Sequence, residues 1–121
     1  MRCTISKKRV KELQRKFHGR NQADFTKTKE ACKLYRCLDT NDPLRQAIDV
    51  AREKLAEYLR NCGSPGERAA YNTFCLCFFT QQIIPKNQIA KKQQIDVGTV
   101  FTHIDKTVFY LAFFLTDEQL Q

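Results

Sequence analysis

No window of this chain reaches the ~18 consecutive apolar residues that a bilayer span requires, so an integral membrane protein is not expected. The first residues, MRCTISKKRVKEL, lack the uninterrupted apolar stretch of an export signal. The chain is therefore expected to be cytoplasmic, with its six cysteines reduced. There is no C-x-x-C pair, and the two histidines, His18 and His103, are not spaced as partner ligands, so no metal site is expected. Cys62, Cys75 and Cys77 fall among apolar residues and read as small core side chains. A glycine-rich phosphate loop is missing too, as is any nucleophile with a base at a recognisable spacing. These absences exclude the usual catalytic classes, and no cofactor is implied. Neither an internal repeat nor a low-complexity tract occurs.

Acidic residues are scarce in one place only. Met1 to Arg36 hold 12 Lys/Arg against 3 Asp/Glu, Cys37 to Arg68 hold 5 against 6, and the remainder holds 4 against 4. The first third thus carries the whole excess of a chain whose net charge is +8. Such a bias points to an acidic partner, nucleic acid being the commonest for a small soluble protein. With 121 residues, 42% hydrophobic and 28% charged, one compact folded unit is expected.

The apolar periodicity is helical almost throughout. Ile5 and Ser6 open a first helix over about 7 to 18, with Val10, Leu13 and Phe17 inward and Lys7, Lys8, Arg9, Lys11, Arg15 and Lys16 outward. A second helix is predicted from Phe25 to Leu38, its stripe being Phe25, Thr28, Cys32, Tyr35 and Leu38. Asp42 as N-cap and Pro43 at the first position start a third, with Leu44, Ile48, Ala51, Leu55, Tyr58 or Leu59, and Cys62 inward, closed by Gly63. Ser64, Pro65 and Glu67 spell a capping box for a fourth helix over about 65 to 82, which turns apolar nearly all round at FCLCFF.

After Pro85 the segment KNQIAKKQQ predicts a short helix with Ile89 and Ala90 inward. Ile95 then enters the core and Asp96 caps a last helix from 97 to about 115, with Val100, Ile104, Val108 or Thr107, and Leu111 inside. So tight a corner makes two helices cross closely, the geometry of a helix-turn-helix, and leaves the start of the second helix free to offer amides to a phosphate. The fold expected is all-α, a helical domain with a C-terminal helix-turn-helix. Residues 1–63 form its basic helical region and 64–121 the helix-turn-helix region.

The stretch QIAKKQQIDVGTVFTHIDKTV resembles the helix-turn-helix of region four of bacterial sigma factors and of response-regulator output domains. Ile89-Ala90, Ile95, Asp96 and Gly98-Thr99-Val100 match the shared pattern, and small phage or mobile-element regulators look similar in layout. Gln93-Gln94 stand where the family has Leu-Gly, so a non-glycine residue must take the turn conformation that glycine eases. Val97 and Phe101 stand where the family shows polar or basic residues.

The resemblance implies a transcriptional regulator that reads double-stranded DNA in the major groove. Val97, Gly98, Thr99, Phe101, Thr102, His103 and Lys106 would lie at the major groove, with Val97 and Phe101 touching thymine methyl groups, Thr99 and Thr102 bonding to bases or phosphates, and Lys91, Lys92 and Lys106 pairing with phosphates. Lys7, Lys8 and Arg9 would add salt-dependent attraction to the backbone. The alternative is an adaptor that binds RNA polymerase or another protein without reading DNA. TVFYLAFFL and FCLCFF offer more apolar surface than a small monomer easily buries, from which a homodimer is expected.

Overall fold

The computed structural model describes Lys11 and residues 23–120. Every regular element among them is helical: α1 (Phe25–Leu34), α2 (Pro43–Cys62), α3 (Pro65–Phe78), α4 (Lys86–Gln93) and α5 (Val97–Leu111), with 3₁₀ turns at Tyr35–Cys37 and Ala112–Phe114. None of the described helices is long and apolar enough to cross a membrane. Of the predicted first helix only Lys11 is described, and it is helical.

Local chemistry fixes most of the boundaries. The Asp24 side chain accepts from the Lys27 amide at 2.9 Å to start α1, and that of Asp42 accepts from Leu44 at 2.8 Å to start α2. Gly63 ends α2 in a place no side chain could occupy, since a Cβ there would lie 2.5 Å from the Leu59 carbonyl oxygen. Ser64 and Glu67 then form the reciprocal capping box of α3, with bonds of 3.1 and 2.8 Å.

Three predicted helices end early. α1 tightens into a 3₁₀ turn after Leu34, which places the Tyr35 hydroxyl 2.5 Å from Asp49. α3 ends at Phe78, where the Thr80 carbonyl and hydroxyl and the Cys77 carbonyl all accept from Arg36, anchoring the chain as it leaves the helix. The last helix, predicted to about 115, is α-helical only to Leu111; the 3₁₀ turn that follows buries Phe113 and Phe114 and offers the Ala112 carbonyl to the Ala23 amide at 2.9 Å.

The central element is α5, which packs on all four other helices and most extensively on α3. Val100, Ile104, Val108 and Leu111 are buried along its inner stripe, as predicted. Phe74, Phe78, Phe113, Phe114 and Leu115 share that core, so most of the apolar surface behind the expectation of a homodimer lies inside a single chain. The cysteines divide differently from expectation: Cys77 is buried and Cys75 half-buried, but Cys62 in the last turn of α2 is exposed. Burial pushes the Cys32 thiol up to about 12.

The corner between α4 and α5 has one feature that the sequence foretold. Gln94 takes the left-handed conformation, φ 58° and ψ 45°, alone among the described non-glycine residues. The Ile95 amide donates to Ala90 at 3.0 Å and the Gln94 amide to Lys91 at 3.2 Å, the two bonds of a Schellman closure. A Cβ in this conformation costs about 1–2 kcal/mol, partly offset by the extra chain entropy that glycine would bring. Gln94→Gly is accordingly expected to raise stability by about 0.5–1 kcal/mol and Gln94→Val to lower it; urea unfolding of both decides, and a destabilised glycine variant would contradict the strain.

Candidate functional site

The corner raises the front of α5 out of the core. Val97 and Phe101 are 41% and 49% exposed, Gly98 is open to solvent, and the ammonium of Lys86 stands 5.6 Å from the centre of the Phe101 ring. Lys91 and Lys92 are exposed on α4. The predicted positions Lys91, Lys92, Val97, Gly98 and Phe101 are therefore all accessible on the corner and the two helices that flank it. Lys106 is half-buried about two and a half turns further along α5 than Val97. Lys7, Lys8 and Arg9 lie outside the described residues.

The two threonines and the histidine of the set are hydrogen-bonded within the protein. Asp96 caps α5 by accepting from the Thr99 amide at 2.7 Å and the Thr99 hydroxyl at 3.0 Å. The Thr102 hydroxyl donates to the Gly98 carbonyl at 3.2 Å, bonding back along its own helix. The bonds from Thr99, backbone first, together with the Gly98 amide, hold the Asp96 carboxyl below its usual range. The expectation of amides free for a phosphate is thereby corrected: a carboxylate already occupies that place and would repel a second anion.

His103 turns inward, its Nδ1 3.1 Å from the Thr73 hydroxyl oxygen on α3. That hydroxyl donates to the Ala69 carbonyl at 3.1 Å, so its oxygen is left to accept and Nδ1 carries the proton. Burial and, secondarily, the charge of Lys106 hold the imidazole below its ordinary 6.5. Protonation on acidification therefore favours the unfolded chain. The contribution of His103 is whole above about pH 6.5 and lost as pH falls through the lower value of the folded state. Wild type should lose urea stability between pH 7.5 and 5.5 more steeply than His103→Gln, and equal slopes would rule out this role.

Two contacts invisible in the sequence pattern set the orientation of α5. Tyr110 donates to Glu67 at 2.5 Å, and Lys29 on α1 pairs with Asp105 at 2.8 Å. Each joins residues more than 40 positions apart. A single sequence carries no signal for such pairs. Among the described residues no group of three or more His, Cys, Asp or Glu side chains could hold a metal.

No family model matches this chain, and neither a curated protein nor a solved structure matches it.

Proposed function

We propose that the chain is a DNA-binding transcriptional regulator of the phage or mobile-element kind, in which α4 and α5 act as a helix-turn-helix and the front of α5 enters the major groove. The observation that carries this reading is the layout of the corner. An eight-residue helix, a three-residue turn through Gln94 and a longer helix leave Val97, Gly98 and Phe101 exposed beside Lys86, Lys91 and Lys92. Val97 and Phe101 would touch thymine methyl groups, and the lysines would pair with phosphates. Lys7, Lys8 and Arg9, in the most basic third of the chain, would add backbone attraction.

Because Thr99 and Thr102 are spent inside the helix, the informative variants are elsewhere. Selection from random duplexes at about physiological salt should enrich a defined motif, and a palindrome would favour a two-fold dimer. Phe101→Ala should weaken binding to that motif while sparing non-specific duplex. Lys91→Gln should weaken both and lower the salt slope by about one. Retention without a motif would remove the sequence-reading function.

A second reading keeps the same surface. The exposed Val97, Phe101 and Ile83 favour contact with a protein, such as RNA polymerase, over contact with bases alone. Absence of duplex binding together with capture by a purified polymerase would favour it.

A further inference from the structure

The described arginines differ in how their donors are used. Arg36 bonds three times, to Thr80 oxygens at 2.8 and 3.0 Å and to the Cys77 carbonyl at 3.2 Å. Arg45 reaches the Leu38 carbonyl at 2.7 Å, and Arg68 the Gly63 carbonyl at 2.6 Å. These guanidinium groups are structural clamps.

Arg52 is held firmly but bonded loosely. Its guanidinium lies 3.8 Å from the centre of the Phe79 ring, which fixes its place. Its nearest acceptors are Asp49 at 3.5 Å and the Cys75 sulfur at 4.0 Å, and Nε has no hydrogen-bond partner among the described residues. The same Asp49 oxygen takes the much shorter bond from Tyr35. A guanidinium carries five donors, and here they meet the long contacts to Asp49 and Cys75 and the Tyr71 hydroxyl, with Nε left over.

Arg52 is also one of the residues lining a cleft of about 400 Å³ between α2, α3 and the end of α4. Lys92 supplies a second positive charge there, Asn72 and Gln93 supply amides, and neither Asp nor Glu is among its lining residues. The volume is on the scale of a small-molecule site. We infer that this cleft binds a small molecule through a carboxylate or phosphate, held by the fork of Arg52 and the charge of Lys92. The inference does not need the reading of α5, with which it shares Lys92, and Arg52 belongs to the cleft alone. An occupant would also touch Gln93, the residue before the left-handed corner.

Titration of the full chain with sodium phosphate and, separately, sodium succinate at matched ionic strength tests this by ¹H–¹⁵N NMR, including the Arg52 Nε–H signal. Saturable shifts centred on Arg52, Asn72 and Gln93 are expected. Saturation by phosphate alone assigns a phosphate-bearing ligand, and by succinate alone a carboxylate. Arg52→Lys, which keeps the charge but removes the fork, should weaken binding about tenfold or more. Should that variant lose its helical signal, Lys92→Gln on the exposed face of α4 takes its place, with about threefold weakening expected. Linear shifts with both anions overturn the proposal, as does unchanged affinity in the folded variant.

Discussion

Phe113→Glu should unfold the protein. Phe113 is 2% exposed and packs edge-on against Phe109, with ring centres 5.5 Å apart. A carboxylate in its place gives up the apolar burial and must either lose its charge or open the core to water. The expected cost exceeds about 4 kcal/mol, comparable with the whole stability of many small domains. Circular dichroism should show the helical signal gone, while Phe101→Glu on the half-exposed front of α5 should keep it. A folded, soluble Phe113→Glu chain would mean that this segment is a surface after all and would restore it as a dimer interface.

Glu67→Ala should cost about 2–4 kcal/mol, far more than a first-turn glutamate on an exposed helix. One carboxylate oxygen accepts from the Ser64 amide at 2.8 Å, completing the cap of α3, and the other accepts from the Tyr110 hydroxyl at 2.5 Å. Loss of a cap costs about 1 kcal/mol, and taking a charged acceptor from a buried hydroxyl about 1–3 kcal/mol. Glu67 therefore joins the starting end of one helix to the finishing end of another. Tyr110→Phe should cost less, because the cap survives. Urea midpoints measure both, and a Glu67→Ala chain within about 0.5 kcal/mol of wild type would show the contact to be weak.

How far the sequence reveals this structure depends on the range of the interaction. Features set within four residues read correctly: Asp42-Pro43 before α2, Ser64 to Glu67 before α3, and Asp96 before α5. The stripe of α5 was equally legible, because its period is local. Helix ends set by distant partners were not. α3 gives way where Thr80 meets Arg36, 44 residues away, and α5 where Ala112 receives the amide of Ala23. The candidate surface was legible in its lysines and in its apolar Val97 and Phe101, but not in its polar members. Thr99, Thr102 and His103 look available in the sequence and are hydrogen-bonded to Asp96, Gly98 and Thr73, the histidine inward and the threonines along their own helix. Arg52 showed nothing unusual as one of several charged residues on an amphipathic helix; its significance comes from Phe79, Asp49 and Cys75 around it.

The ties between Ala23 and Ala112, and between the Asp24 amide and Asp117 at 2.8 Å, also set an order in time. Asp24 and Asp117 are 93 positions apart, and α1 finds its main packing surface on α5, the last of the described helices. At about 5–20 residues per second, a ribosome delivers the second half of that clamp roughly 5–20 s after the first. During that interval the face of α1 that carries Cys32 has no α5 to meet. The helix translated early is thus among the last to be secured, and a nascent chain stalled before residue 97 would present that face to chaperones.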